Sequence, residues 1–134
     1  MLLRVLGGAL SLNRIGFGIA YLVAPGRYGR GWIGRAARDP ATQVFTRGHG
    51  ARDIALGTGA LAKLIRGDDA GARAWFAGQA LADGSDVAAT VVARKRLPRS
   101  GSRFALAVAG VSTAVGTAAA VALGRSTDIR VNSS

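Results

Sequence analysis

Cysteine is absent from the 134 residues, which excludes disulfides, thiolate metal sites and a catalytic thiol. Glutamate is absent as well. All seven acidic residues are Asp, set against eighteen basic residues of which sixteen are Arg. His49 is the single histidine, so a multi-histidine metal site cannot be built within one chain. No Ser/His/Asp order stands out, and no Gly-rich phosphate loop follows a strand pattern. No cofactor motif is left, and the weight of these absences is against an enzyme.

What is present is apolar and basic. Hydrophobic residues make up 49% of the chain and the formal net charge is +11. The mean hydropathy of +0.26 lies between soluble and polytopic proteins, so the distribution decides. The Ala, Gly and Arg bias with little Lys fits a GC-rich bacterial genome. Apolar residues gather in four blocks: Leu2 to Ala24, Gln43 to Ile65, Gly71 to Ala93 and Phe104 to Leu123. At 1.5 Å per residue each block reaches about 30 Å, the thickness of a hydrocarbon core. The fourth block carries no charge at all, the pattern of a spanning helix and not of a soluble core helix with a polar face. Arg14 interrupts the first block and no small-x-small site follows at the right distance, so that block reads as a retained helix, not a cleaved signal.

Short links join the blocks. The expected fold is therefore all-α, a four-helix transmembrane bundle with up-down antiparallel order over residues 1–124 and a loose polar tail over 125–134. The Gly26-x-x-Gly29-x-Gly31 stretch in the first link reads as a flexible interfacial loop. Links one and three hold Arg27, Arg30, Arg35, Arg38, Arg94, Lys95, Arg96, Arg99 and Arg103. The opposite side holds Arg4, Lys63, Arg66, Arg73, Arg125 and Arg130. The positive-inside rule then places both termini outside a multi-pass cell-membrane protein, with Tyr28, Trp32 and Trp75 in the aromatic belt. The expected partners are the bilayer and its anionic headgroups, where each surface cation gains about 1 kcal/mol. A membrane protein partner or a second copy is also expected. Nucleic acid is not, because the basic residues flank the apolar blocks.

The polar residues inside the blocks carry the functional signal. Gln79, Asp83, Asp86 and Thr90 follow the spacing i, i+4, i+7, i+11 and share one helix face. A lone charge at the bilayer centre costs about 2.5–3.5 kcal/mol on insertion scales, so these groups need partners. Matching depths in an up-down arrangement sets Asp86 level with Arg52 and Asp83 level with Arg14. The expected network is Arg14, His49, Arg52, Asp53, Gln79, Asp83 and Asp86. Paired charges of this kind fix helix register, or else form a proton path or a polar pocket. Asp83-Gly84-Ser85-Asp86 has the D-x-x-D form that can share Mg²⁺, although the second acidic cluster such enzymes need is missing. Gly7, Ser11 and Gly18 in block one, Gly50 and Gly57 in block two, and Ala109, Thr113, Gly116 and Thr117 in block four mark expected helix contacts.

The run Tyr21-Leu-Val-Ala-Pro-Gly-Arg and the later Gln43-Val-Phe-Thr-Arg-Gly-His-Gly-Ala-Arg-Asp-Ile-Ala-Leu-Gly resemble a group of small four-helix bacterial membrane proteins of unknown function. The shared Gly-x-Arg-Asp element falls here on Gly50, Arg52, Asp53 and Gly57. The resemblance implies the fold and no activity. A looser similarity is to DoxX-type four-helix membrane proteins, some of which serve redox complexes, a role for which this chain has no thiol. The functional expectation is an accessory or binding protein of the membrane. The alternatives are a proton or small-solute carrier and, third, a membrane enzyme built on Asp83 and Asp86.

Overall fold

The computed structural model describes the backbone of residues 2–131 and the side chains of residues 4–121. The fold is all-helical, with no strand among the described residues. Its elements are α1 (Leu2–Val23), the short α2 (Pro25–Tyr28) and α3 (Arg30–Ile33), a 3₁₀ turn (Gly34–Arg38), α4 (Pro40–Ile65), α5 (Asp69–Ala93) and α6 (Arg99–Val131).

Local chemistry sets the boundaries. Pro25 restricts Ala24 away from helical backbone and ends α1, then supplies the first position of α2. Asp39 caps α4 by accepting the Thr42 N–H at 2.8 Å, with Pro40 next in line. Gly67, at φ +72°, turns the chain out of α4, and Asp68 caps α5 by accepting the Gly71 N–H at 2.8 Å and Lys63 Nζ at 2.7 Å. The Thr42 amide holds the Asp39 carboxyl below the usual carboxylate range, and Lys63, then the Gly71 amide, does the same for Asp68. These caps start α4 three residues ahead of the apolar block at Gln43 and α5 two residues ahead of the one at Gly71, and α6 begins at Arg99, ahead of Phe104.

Two expectations change. The first link is not a flexible loop but nearly continuous helical turns, because Tyr28 and Gly29 bond back to Ala24 and Pro25, and Ile33 to Gly29. Gly34, at φ +66°, breaks that run, and a Cβ there would lie 2.7 Å from Pro98 Cγ. Residues 125–131, expected as tail, continue α6 without a break, and 132–134 lie outside the described residues.

Packing follows small residues. α1 lies along α4 where Gly18 meets Gly50 and Ser11 meets Gly57, so the two run in opposite directions. α5 lies along α6, α4 touches α5 more lightly, α3 rests on α6, and α1 barely touches α6. Gly116 is buried against Phe76 and Ala80 of α5, whereas Thr117 is exposed. A small apolar cluster of Ala60, Leu64, Ala72, Phe76 and Ala119 fills one part of the interior. Trp75 is half-buried beside this cluster, its ring over Gly59. The other part is polar: Ser11, Arg14, Asp53, Gln79, Asp83 and Thr90 are all buried.

The outside is the reverse. Val92 is 87% exposed, Phe45 79%, Ile65 and Leu81 77%, and Val23 76%. Two stretches, Arg4–Val23 and Arg99–Val121, are long and apolar enough to cross a membrane, which supports membrane association.

Candidate functional site

The polar interior is assembled from the middle turns of three helices. Arg14, near the centre of α1, is 7% exposed and forks between two carboxylates. Its Nη1 donates to Asp53 Oδ1 on α4 at 2.8 Å, and its Nη2 donates to Asp83 Oδ2 on α5. A planar guanidinium suits this task, since its donors diverge in a fixed fork. Arg52, one residue before Asp53, turns toward α5 and pairs with Asp86 Oδ2 at 2.8 Å, with a longer contact of 3.3 Å to Asp53 Oδ1. His49 stands one turn above Asp53, its Nε2 3.7 Å from Asp53 Oδ2, 3.9 Å from Asp86 Oδ2 and 3.2 Å from Arg52 Nη2.

Six of the seven residues singled out by spacing and depth thus meet in one cluster. Gln79 is fully buried but separate: its Nε2 donates to the Leu56 carbonyl of α4 at 3.1 Å, and its Oε1 has no partner. Thr90 accepts the Trp32 indole N–H at 3.1 Å. Trp32 therefore ties α3 to α5 and does not simply sit in an interfacial belt. Its ring also meets His49 edge-on at 5.4 Å, and Tyr21 meets the same imidazole from α1 at 5.5 Å. Nothing in the helical periodicity of α4 marks these two aromatics as neighbours of His49, because both lie on other elements.

A cavity of about 240 Å³ adjoins the cluster. Its floor is Arg14, His49, Asp53, Asp83 and Asp86. Tyr21, Tyr28, Trp32 and Thr90 line it as well, together with Asn13 and Phe17 of α1 and Phe104, Val108 and Ser112 of α6. α1 and α6, which both contribute lining residues, scarcely touch each other. Arg14 Nε and Arg52 Nε are buried without partners.

The D-x-x-D carboxylates are held by different cations, Asp83 by Arg14 and Asp86 by Arg52. No group of three or more metal-binding side chains among the described residues is placed to share an ion. The arrangement offers a charged recess lined by aromatic side chains. Comparison with protein families, curated proteins and solved structures gives no match for this chain.

Proposed function

We propose that the chain is a multi-pass protein of the cell membrane, a four-helix up-down bundle that acts as a binding protein through its central cavity. The observation that carries this reading is the reversed polarity: ion pairs at the middle of the helices, large apolar side chains facing outward. All four long helices present such side chains, with Val5 and Leu12 on α1, Phe45 and Ile65 on α4, Leu81 and Val92 on α5, and Phe104 and Val111 on α6. A soluble domain seldom exposes apolar surface on every side, while a bilayer requires it. α4 and α5 are less apolar overall, but their central charges are paired inward, and at 1.5 Å per residue each is longer than the roughly 30 Å of hydrocarbon.

Charge supports an orientation. Gly101 packs on the backbone of Gly31 and Trp32, and Pro98 packs against Gly34, so the two basic links share one end. That end holds nine cations against Asp39 alone, whereas at the other end Arg4 pairs with Asp69 and Lys63 with Asp68. The basic end would face the cytoplasm and its anionic lipids.

The full chain is expected to remain with the membrane pellet through high-salt and alkaline washes and to leave it only with detergent. Recovery in the aqueous fraction without detergent would end the reading. A carrier would differ from a binding protein in proteoliposomes. Wild-type and Asp86→Asn chains should show the same background proton flux; a wild-type flux abolished by Asp86→Asn would put a proton carrier in place of a binding protein.

A further inference from the structure

We infer that the cavity takes an organic monocation bearing an apolar arm, with the charged head on the carboxylate floor and the arm leaving sideways between α1 and α6. The inference rests on the membrane-embedded binding reading and adds the class of ligand. Its first support is charge. The floor and the arginine behind it bring together Arg14 and Arg52 with Asp53, Asp83 and Asp86. Two guanidiniums stand against three carboxylates, with the His49 imidazole 3.7 Å from Asp53 and 3.9 Å from Asp86. A buried cluster away from water gains most from the one ion that balances it.

The second support is the wall. Trp32, Tyr21 and Tyr28 line the same recess. Aromatic faces attract cations, favour organic ammonium groups and offer an anion nothing. The third is shape. About 240 Å³ is smaller than the roughly 300–1,000 Å³ of sites that enclose a drug-sized ligand, so it fits a headgroup and not a whole amphiphile. The remainder has a path, because the lining residues Phe17 of α1 and Phe104 and Val108 of α6 are exposed and these two helices scarcely touch. In the membrane the seam between them opens to acyl chains, so such a ligand would enter from the lipid.

The test is calorimetric titration of the full chain in discs of an uncharged glycolipid, using benzyltrimethylammonium, benzenesulfonate and benzyl alcohol. These probes share an aromatic arm and differ in charge. The cation is expected to bind saturably at one per chain, and the other two not to bind. Asp86→Asn, which removes a floor carboxylate, and Trp32→Leu, which leaves the Arg52–Asp86 pair in place, should each weaken the cation about tenfold or more. Val108→Trp, which fills the seam, should also weaken it. Sulfonate or alcohol binding as tightly as the cation would overturn the inference while sparing the binding reading. Cation affinity unchanged in Asp86→Asn and Trp32→Leu would place the ligand elsewhere and overturn it as well. Binding of none of the three by the folded wild type would remove both readings.

Discussion

Arg14→Met is expected to cost about 3–5 kcal/mol of stability, a large share of a whole margin of order 5–15 kcal/mol. The size follows from what the side chain leaves behind. Asp53 would keep Arg52 at 3.3 Å and His49 at 3.7 Å, but Asp83 would lose the guanidinium that its Oδ2 accepts from. Both carboxylates are buried, so an unpaired charge on either is costly. Arg14→Lys should fall between wild type and Met, since one ammonium cannot fork to two carboxylates as a guanidinium does.

The companion variant separates charge from packing. Arg14→Met combined with Asp83→Leu removes the orphaned carboxylate together with its partner, and should recover much of the loss, as buried ion pairs replaced by apolar groups generally do. The check is the unfolding midpoint of each purified chain in one detergent. A midpoint unmoved by Arg14→Met, or a double variant as damaged as the single one, would show that the ion pair does not hold α1 against α4 and α5.

How far the sequence reveals this arrangement differs from element to element. The helical class is legible because apolar runs of membrane length recur along the chain, the first stopped at Pro25 and the second at Gly67, each for a local reason. The helix starts are less so, since Asp39 and Asp68 lie outside the apolar runs and act through caps. Asp83 and Asp86 are drawn together by spacing, and depth alone pairs each with its arginine. Gln79 shares their stripe, yet one turn along α5 it meets a backbone carbonyl of α4 and not a charge. Residues 25–42 read as a link because Gly and Arg dominate, whereas its helical turns pack through α3 on α6 and through α2 and the 3₁₀ turn on α4. The cavity is the least legible feature. It depends on α1 and α6 standing apart, and on Trp32 crossing from α3 to Thr90, neither of which leaves a periodic trace.

Gly50→Ala is expected to destabilise the chain by about 1–3 kcal/mol although Ala is the better helix former, and Gly50→Val by more. A Cβ at Gly50 would stand 2.6 Å from the Gly18 carbonyl oxygen, 3.0 Å from Tyr21 Cβ and 3.1 Å from the Leu22 amide nitrogen. Two of these are backbone atoms of α1, so no side chain can swing away and the helices must separate. Gly18 mirrors it, with 2.6 Å to the Gly50 carbonyl oxygen and 3.0 Å to the Ile54 amide nitrogen. Gly16, Gly48 and Gly84 have nothing within 4 Å of the same position. There the Ala substitution meets no neighbour, and helix propensity should make it neutral or favourable by up to about 1 kcal/mol. Unfolding midpoints for the five single Ala variants provide the comparison. Equal effects at Gly50 and Gly48 would mean that the α1–α4 contact is not the close one described. A loss confined to Gly50 and Gly18 would tie the approach of these two helices, and with it the distance over which Arg14 reaches Asp53, to the missing side chains.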